Sequence, residues 1–208
     1  MRRLTGSGEC QLCGQRAAES ELVRHLATCA PAHDSQGPPQ NLVELRFSSL
    51  EDPRYWIYLE ARAETTLQSV DALLRRVWLE CCGHMSAFRM GRDELGKGRK
   101  VGEAFSRRGQ SFDYEYDFGS TTALRGKVTG TREGRLGRHA TRLVARNDPI
   151  EWSCAECDAP ATVVCTYCVY EGPGLFCERH AAGHEHAEEE VYLPVVNSPR
   201  MGVCAYEG

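Results

Sequence analysis

The clearest hydrophobic pattern in the chain recurs at helical spacing and predicts a helix from Thr65 to Cys82. Thr65 and Gln68 have the spacing of a capping box, and Gly83 lies where a helix usually ends. One face of this segment would pack on a core. The apolar residues of that face are Leu67, Val70, Leu73, Leu74, Val77 and Trp78.

A second pattern alternates aromatic and acidic residues with period two and predicts a strand. Its aromatic face holds Phe112, Tyr114, Tyr116 and Phe118, and its acidic face holds Asp113, Glu115 and Asp117. Thr122 to Thr129 would be the partner strand of a hairpin across Gly119 to Thr121. That register pairs Phe118 with Thr122 and Tyr116 with Leu124, and it sets Glu115 opposite Arg125 and Asp113 opposite Lys127.

Further strands are predicted at residues 41–47, 54–62 and 139–146, and residues 191–196 are again apolar. We therefore expect a central domain of strands with one main packed helix, flanked by two small zinc-stabilised modules. The predicted organisation is a zinc finger at 1–30, a linker at 31–40, the central domain at 41–150, a double zinc module at 151–190, and a tail at 191–208 that packs back on the central domain.

Cysteine and histidine residues occur in two runs with the spacing of metal ligands. The first run is Cys10, Cys13, His25 and Cys29, in which His25 and Cys29 share one face of a predicted helix. The second is Cys154, Cys157, Cys165, Cys168, Cys177, His180, His184 and His186. Twelve ligands complete three tetrahedral zinc sites and leave no position for water, so the sequence predicts three structural zinc ions.

The composition places limits on location and partners. The chain has 208 residues, eleven cysteines and a net charge of -4. Without a recognisable signal peptide or membrane span, so many cysteines favour a reducing compartment, and we expect the cytoplasm and no membrane association. Residues 89–146 hold fourteen Lys/Arg against seven Asp/Glu, whereas residues 151–190 hold nine acids against Arg179 alone.

The central segment resembles a known protein family. The predicted helix, the following Cys82-Gly83-His84-Met85-Ser86-Ala87-Phe88, and above all Tyr114-Glu115-Tyr116-Asp117-Phe118-Gly119 are similar to the plasmid pRiA4b ORF-three-like family. The resemblance covers about residues 41–146. It implies an α+β fold with a mixed or antiparallel central sheet, and it does not supply a secure activity. Where the family commonly continues with Asp and an aromatic residue after the glycine, this chain has Ser120-Thr121-Thr122.

The second ligand run resembles a B-box-type zinc finger, a module that usually mediates protein contacts. The resemblance implies crossed pairing, in which Cys154, Cys157, Cys177 and His180 bind one ion and Cys165, Cys168, His184 and His186 bind the other. In the sequential alternative, the four N-terminal cysteines share one ion, and Cys177 shares the other with the three histidines. We favour the crossed arrangement because it ties the loop from Val169 to Phe176 into a compact core.

Several other polar residues are candidates for a functional site. Asp113, Glu115, Asp117, His84 and His139 could form a catalytic or metal cluster, but charge pairing in the hairpin and capping by His84 account for most of them. Asp117 is the exception, because it lies beside the family motif. Cys81, Cys82 and Cys204 fall outside the ligand set and are interpreted as small core residues.

These observations favour a non-catalytic, cytoplasmic zinc protein that acts as an adaptor for a protein partner. The alternative is a nucleic-acid-binding accessory factor, tied to mobile elements, that uses the basic stretches Arg89 to Arg108 and Arg132 to Arg138. A second alternative is an enzyme with a site near Asp117 and His84.

Overall fold

The computed structural model describes residues 6–170, 172–188 and 191–208. The chain forms two compact units. The first comprises the residues up to Arg75 together with Met85–Asp148, and the second comprises Arg76–His84 together with Pro149–Gly208. The strands are β1 (Ser7–Cys10), β2 (Arg16–Ala18), β3 (Gln40–Ser49), β4 (Trp56–Arg62), β5 (Ser86–Met90), β6 (Asp93–Leu95), β7 (Ser111–Tyr116), β8 (Thr122–Gly134), β9 (Thr141–Asn147), β10 (Val163–Cys165), β11 (Leu175–Phe176) and β12 (Tyr192–Pro194). The α-helices are α1 (Glu19–Ala32), α2 (Leu67–Leu74), α3 (Val101–Ala104) and α4 (Glu178–Ala181).

The first unit is built on a nine-stranded antiparallel sheet with the order β2-β1-β9-β4-β3-β8-β7-β5-β6. Helix α2 lies against β9, and α3 lies against β3 and β4. The predicted α+β class with a large antiparallel sheet and few helices is confirmed. No helix among the described residues combines the length and the apolar character needed to cross a membrane.

Helix α2 is shorter than the hydrophobic pattern predicts. It begins after Thr66 and gives way at Arg75 to a π-helical turn that ends at Leu79. The expected capping box is absent, because the Thr65 hydroxyl lies 2.7 Å from that of Ser69 and no side chain caps the first turn. The buried members of the predicted apolar face are Leu67, Val70, Leu73, Leu74 and Trp78.

The predicted hairpin forms, but its register is shifted by two residues. Tyr116 pairs with Thr122, Tyr114 with Leu124 and Asp113 with Arg125. A shift of two keeps each side chain on its face, so the aromatic face remains buried. The shift seats the Phe112 ring over Gly126, where a Cβ atom would lie 2.2 Å from Phe112 Cε2. Phe118 therefore leaves the strand and is 48% exposed in the connecting loop.

The N-terminal finger is part of the first unit and extends its sheet. Strand β1 pairs with β9 through Gly8 with Asn147 and Cys10 with Ala145. A Cβ atom at Gly8 would lie 2.3 Å from the Trp56 ring, so glycine permits this close approach. Helix α1 continues through Pro31 to Ala32. The segment between finger and sheet thus begins two residues later than the predicted linker.

The second unit has its own three-stranded sheet with the order β11-β10-β12. One of its buried clusters consists of Cys154, Cys165, Phe176 and Ala181. Other buried apolar residues of this unit include Trp78, Leu79, Val164 and Tyr206. The tail strand β12 pairs with β10 of the predicted zinc module, with Leu193 opposite Val164. Farther along the tail, the Ser198 hydroxyl donates a 2.6 Å hydrogen bond to the Trp78 carbonyl. The tail therefore packs within the unit that holds the double module.

A buried polar cluster lies beneath the aromatic core of the first unit and was not foreseen from sequence. Asp71 is fully buried on α2 and accepts hydrogen bonds from Ser86 at 2.6 Å and Tyr114 at 2.8 Å. Arg75 and Lys97 approach the same carboxylate at 2.9 and 3.0 Å. Burial raises the pKa of Asp71, but hydrogen bonds from Ser86, Tyr114 and Lys97 outweigh it and hold the pKa below its ordinary value.

We predict that Asp71→Asn destabilises the protein by roughly 3 kcal/mol at pH 7, because it leaves two cations beside an uncharged buried group. A lowered folded-state pKa contributes stability above the ordinary aspartate pKa of about 4, and that stability is lost as the pH falls. The difference between wild type and variant should therefore shrink on acidification. Urea denaturation at pH 7 and at acidic pH measures both effects.

The control is Glu64→Gln, because Glu64 forms a 2.6 Å ion pair with Lys100 but its side chain is 80% exposed. An exposed pair contributes at most about 1 kcal/mol, so this variant should unfold close to wild type. Equal destabilisation by the two substitutions would show that the Asp71 carboxylate contributes no more to the free energy of unfolding than an exposed carboxylate does.

Candidate metal centres

The first candidate centre, here called the finger cluster, comprises Cys10, Cys13, His25 and Cys29, whose ligand atoms all lie within 4.8 Å of one another. Cys10 ends β1, Cys13 lies in the following turn, and the other two lie one helical turn apart on α1. The Cys10 and Cys29 sulfurs are 3.8 Å apart, and Cys13 Sγ lies 3.2 Å from His25 Nε2. The structure thus brings together all four ligands predicted from the first run.

The finger cluster is embedded in apolar packing. Cys10 is fully buried and Cys29 is 7% exposed. Burial and the neighbouring thiols Cys13 and Cys10 raise the pKa of Cys29 to about 12. Crowded thiols in such surroundings favour the neutral form unless a cation compensates their charge. The residues packed around these two cysteines are Leu22, Trp56, Tyr58, Val144 and Ala145.

Polar contacts fix helix α1 to the sheet. The Arg142 guanidinium donates hydrogen bonds to the carbonyls of His33 and Ala30 at 2.7 and 3.2 Å, at the C-terminal end of the helix. At the other end, Glu19 Oε1 accepts hydrogen bonds from Arg46 Nε at 2.6 Å and from the Tyr58 hydroxyl at 3.0 Å. The two helical ligands are therefore held by the sheet.

The second candidate centre, here called the upstream module cluster, comprises Cys154, Cys157, Cys177 and His180. Cys177 precedes α4 and His180 lies within it. His180 Nδ1 is 3.2 Å from Cys154 Sγ and 3.6 Å from Cys177 Sγ, and the Cys157 and Cys177 sulfurs are 4.0 Å apart. Burial raises the pKa of Cys154, but hydrogen bonds from Cys177, Glu156 and His180 outweigh it and lower the pKa to about 6.

The third candidate centre, here called the downstream module cluster, comprises Cys165, Cys168, His184 and His186. His186 Nδ1 lies 3.5 Å from Cys165 Sγ and 3.6 Å from Cys168 Sγ. His184 Nε2 lies 3.3 Å from Cys168 Sγ. Both module clusters thus join an early cysteine pair to late ligands, which is the crossed grouping and not the sequential one.

A fourth cluster joins residues that lie outside the ligand set predicted from the sequence. Cys81, Cys82, His84 and Cys204 also place their ligand atoms within 4.8 Å of one another, and all belong to the second unit. Cys82 and Cys204 are exposed, so the interpretation as core residues is wrong for them. The available sequence signal was the short Cys-Cys-Gly-His segment, whose fourth partner is more than a hundred residues away.

The other candidates have local roles. Asp117 adopts a left-handed backbone (φ 64°) and its Oδ1 accepts a 3.0 Å hydrogen bond from the Gly119 amide, so it shapes the hairpin loop. Asp113 forms an ion pair with Arg125 at 2.5 Å, and Glu115 forms one with Arg89 at 2.8 Å. Among the described residues, neither these acids nor His139 joins a potential metal-binding group.

Some cations of both basic stretches form ion pairs within the first unit, whereas Arg92, Arg107, Arg108 and Arg138 are exposed. Lys97 pairs with Asp71, and Lys100 pairs with Glu64. Arg132 is the most enclosed, because its guanidinium contacts Asp34 at 2.8 Å and Glu60 at 2.6 Å and is 14% exposed. These contacts reduce the positive charge that the two stretches can present to an anionic partner.

A cleft of about 640 Å³ lies beside the downstream module cluster. His184 and His186 form part of its wall, and Tyr167 packs edge-on against the His186 ring with centroids 5.2 Å apart. Tyr167 is 55% exposed and Tyr170, three residues later, is 65% exposed. Glu156 and Glu185 also line the cleft. The surface therefore combines exposed aromatic rings with acidic groups.

Comparison with known proteins gives little functional guidance. No protein-family model matches the chain, and no curated protein matches it. One similar solved structure is the crystal structure of protein of unknown function MM3350 from Methanosarcina mazei Go1. It aligns with 14% identity and a TM-score of 0.45, over 51% of this chain and 69% of that one. The resemblance to the pRiA4b ORF-three-like family stays a prediction.

The grouping of ligands in the two module clusters predicts how paired substitutions change zinc retention. Cys157→Ser with Cys177→Ser removes two ligands from the upstream module cluster alone, so one ion should be lost. Cys157→Ser with Cys168→Ser removes one ligand from each cluster, so both ions should be weakened. Native mass spectrometry of zinc-loaded protein with a competing chelator counts the retained ions.

The two double variants control for each other, because both contain Cys157→Ser and both lack two thiols. Sequential pairing gives the reverse order. In that arrangement Cys157 and Cys168 share one ion, whereas Cys157 and Cys177 belong to different ions.

Proposed function

We propose that this chain is a non-catalytic zinc protein that acts as an adaptor, and that its double zinc module binds a basic segment of another protein. Zinc would occupy the finger, upstream module and downstream module clusters. The observation that carries the proposal is the convergence of four thiol or imidazole groups in each cluster. This donor set suits zinc, and four protein ligands leave no open position for a reacting water.

The distances within the clusters agree with zinc coordination. Ligand atoms about 2.0–2.3 Å from a tetrahedral ion are separated from one another by roughly 3.3–3.8 Å. The closest sulfur–nitrogen separations, from 3.2 to 3.5 Å, and the Cys10–Cys29 sulfur separation of 3.8 Å are consistent with that range. Each cluster also contains at least one buried cysteine. An ion at such a position would stabilise the fold around it.

The downstream module cluster links zinc to the proposed binding surface. Tyr167 packs on His186, so an ion that fixes the His186 ring would also fix Tyr167 at the cleft. A rigid, half-exposed tyrosine supplies large contact area at low entropic cost, and tyrosines often dominate binding energy at interfaces. The cleft would therefore be organised only in the zinc-loaded protein.

Charge indicates the chemistry of the partner. Residues 151–190 carry nine acidic residues and one arginine. The five thiolates of the two module clusters with two divalent ions would add one further negative charge. An acidic surface with exposed aromatic rings suits lysine and arginine side chains, which pair with carboxylates and stack on tyrosine. A basic protein segment fits these properties, whereas a nucleic acid does not.

The eleven thiols also bear on location. Every cysteine in the described structure belongs to one of the four clusters and is free of disulfides. A reducing compartment would keep these thiols available for metal, and we place the protein in the cytoplasm.

We predict that zinc-loaded protein binds a lysine- and arginine-rich peptide in preference to neutral and acidic peptides of equal length. Binding should weaken as salt is added, because screening reduces the attraction between charges. Tyr167→Ala with Tyr170→Ala should lower the affinity at least about tenfold, since buried interface tyrosines commonly contribute more than 1 kcal/mol each. Fluorescence anisotropy with labelled peptides measures the affinities.

Phe118→Ala is the matched control, because this exposed aromatic residue lies in the first unit and should leave peptide binding unchanged. Zinc removal should abolish binding, and its restoration should recover it. Equal affinity for all three peptides, or binding of duplex DNA in place of the basic peptide, would overturn the proposal and favour the nucleic-acid alternative.

A further inference from the structure

The fourth cluster has the geometry of a metal centre. The sulfurs of Cys81 and Cys82 are 3.7 Å apart, and those of Cys82 and Cys204 are 3.4 Å apart. His84 Nε2 lies 2.9 Å from Cys82 Sγ and 3.6 Å from Cys204 Sγ. These separations are close to the range found in the finger and module clusters, although Cys81 and Cys82 are adjacent and lack the usual two-residue gap.

We infer that Cys81, Cys82, His84 and Cys204 bind a fourth zinc ion, and that this ion exchanges faster than the other three. Three thiols and one imidazole form a complete tetrahedral ligand set for zinc. Sulfur-rich sites also select zinc over magnesium or calcium, which require oxygen ligands.

The local backbone supports this arrangement. Gly83 takes a left-handed conformation (φ 83°), and its amide donates a 2.6 Å hydrogen bond to Glu80 Oε1, so a tight turn brings His84 back towards Cys82. Cys204 also has a positive φ of 55°, which is unfavourable for a residue with a side chain. Its position is thus maintained by the surrounding tail and not by its own conformational preference.

Other interpretations account for less of this geometry. Small core residues would be buried, but Cys82 and Cys204 are exposed and Cys81 is only partly covered. A disulfide would join two sulfurs at about 2.05 Å, whereas the closest pair lies 3.4 Å apart. A disulfide also leaves one thiol and the imidazole without a reason to converge. A tetrahedral ion uses all four groups.

Exposure separates this centre from the others. The finger cluster contains buried Cys10 and Cys29, and the module clusters contain buried Cys154 and Cys165. The fourth cluster has no buried ligand. A chelator can therefore reach its ion without opening a core, and we expect that ion to leave first.

The proposed ion would join two distant parts of the chain within the second unit. It links the segment that follows the π-helical turn to the tail, beside the hydrogen bond from Ser198 to the Trp78 carbonyl. Cys204 is separated from Cys82 by 122 positions, so the bond would close a long loop. Loss of this ion should loosen the tail while the other clusters remain intact.

Metal counting tests this inference. Native mass spectrometry of the full chain, purified under reducing conditions and loaded with zinc, should show four ions for wild type and three for Cys204→Ser. Ala205→Ser is the matched control, because it changes the exposed neighbour and should retain four ions. A second variant, Cys82→Ser, guards against a folding defect peculiar to the tail and should also retain three.

Release kinetics provide the second readout. A colorimetric chelator should remove one equivalent of zinc rapidly from wild type, and that rapid phase should be missing in Cys204→Ser. Three ions in both wild type and Cys204→Ser, or a Cys82–Cys204 disulfide in protein kept reduced, would overturn the fourth site but leave the three-site proposal standing. Absence of zinc from the wild-type protein would overturn both the three-site proposal and the fourth site. Slow release of all four ions would overturn the inference that the fourth ion exchanges faster than the others.

Discussion

The convergence of thiol and imidazole groups is the constraint on which the second unit depends. The small buried core around the double module consists of Cys154, Cys165, Phe176 and Ala181, and two of these four residues are themselves candidate ligands. So small an apolar core supplies little stability against the conformational entropy of the chain. Metal binding can supply the missing free energy, because coordination exists only when the ligands are brought together. Zinc bound as proposed in the upstream and downstream module clusters would therefore couple the folding of this region to metal binding.

The finger cluster differs from the two module clusters, because it lies within a larger apolar core. Cys10 and Cys29 pack with Trp56 and Val144 of the large sheet, and β1 adds hydrogen bonds along β9. An isolated zinc finger leaves its outer surface exposed to a partner. Here Arg142 and Glu19 anchor both ends of the finger helix to the sheet. The finger consequently places β2 at this edge of the sheet, and an edge strand of three residues offers little backbone for pairing with another chain.

Local sequence patterns were sufficient to predict the candidate ligands and the buried face of each element. Features that depend on contacts between distant residues could not be predicted in this way. The two-residue gaps and the helical spacing of His25 and Cys29 act within a few residues, so the finger and module ligands were predictable. The hairpin register was not, because it depends on the space that Gly126 leaves for the Phe112 ring. The buried polar cluster around Asp71 could not be predicted for the same reason, because its partners Ser86, Lys97 and Tyr114 are distant in sequence. Cys204 joins the fourth cluster only through the fold of the tail, so spacing along the sequence could not predict its role.

Charge is distributed in a way that bears on partners. The first unit engages part of its positive charge internally, as when Arg132 is enclosed between Asp34 and Glu60, whereas Arg92, Arg107, Arg108 and Arg138 remain exposed. The acidic groups of residues 151–190 have only Arg179 within that segment to balance them. Ion pairs within the fold thus reduce the positive charge that a basic segment presents, while an acidic segment with one arginine remains attractive to cations. The net charge of a stretch of sequence indicates the charge of its binding partner only after the ion pairs of the fold are taken into account.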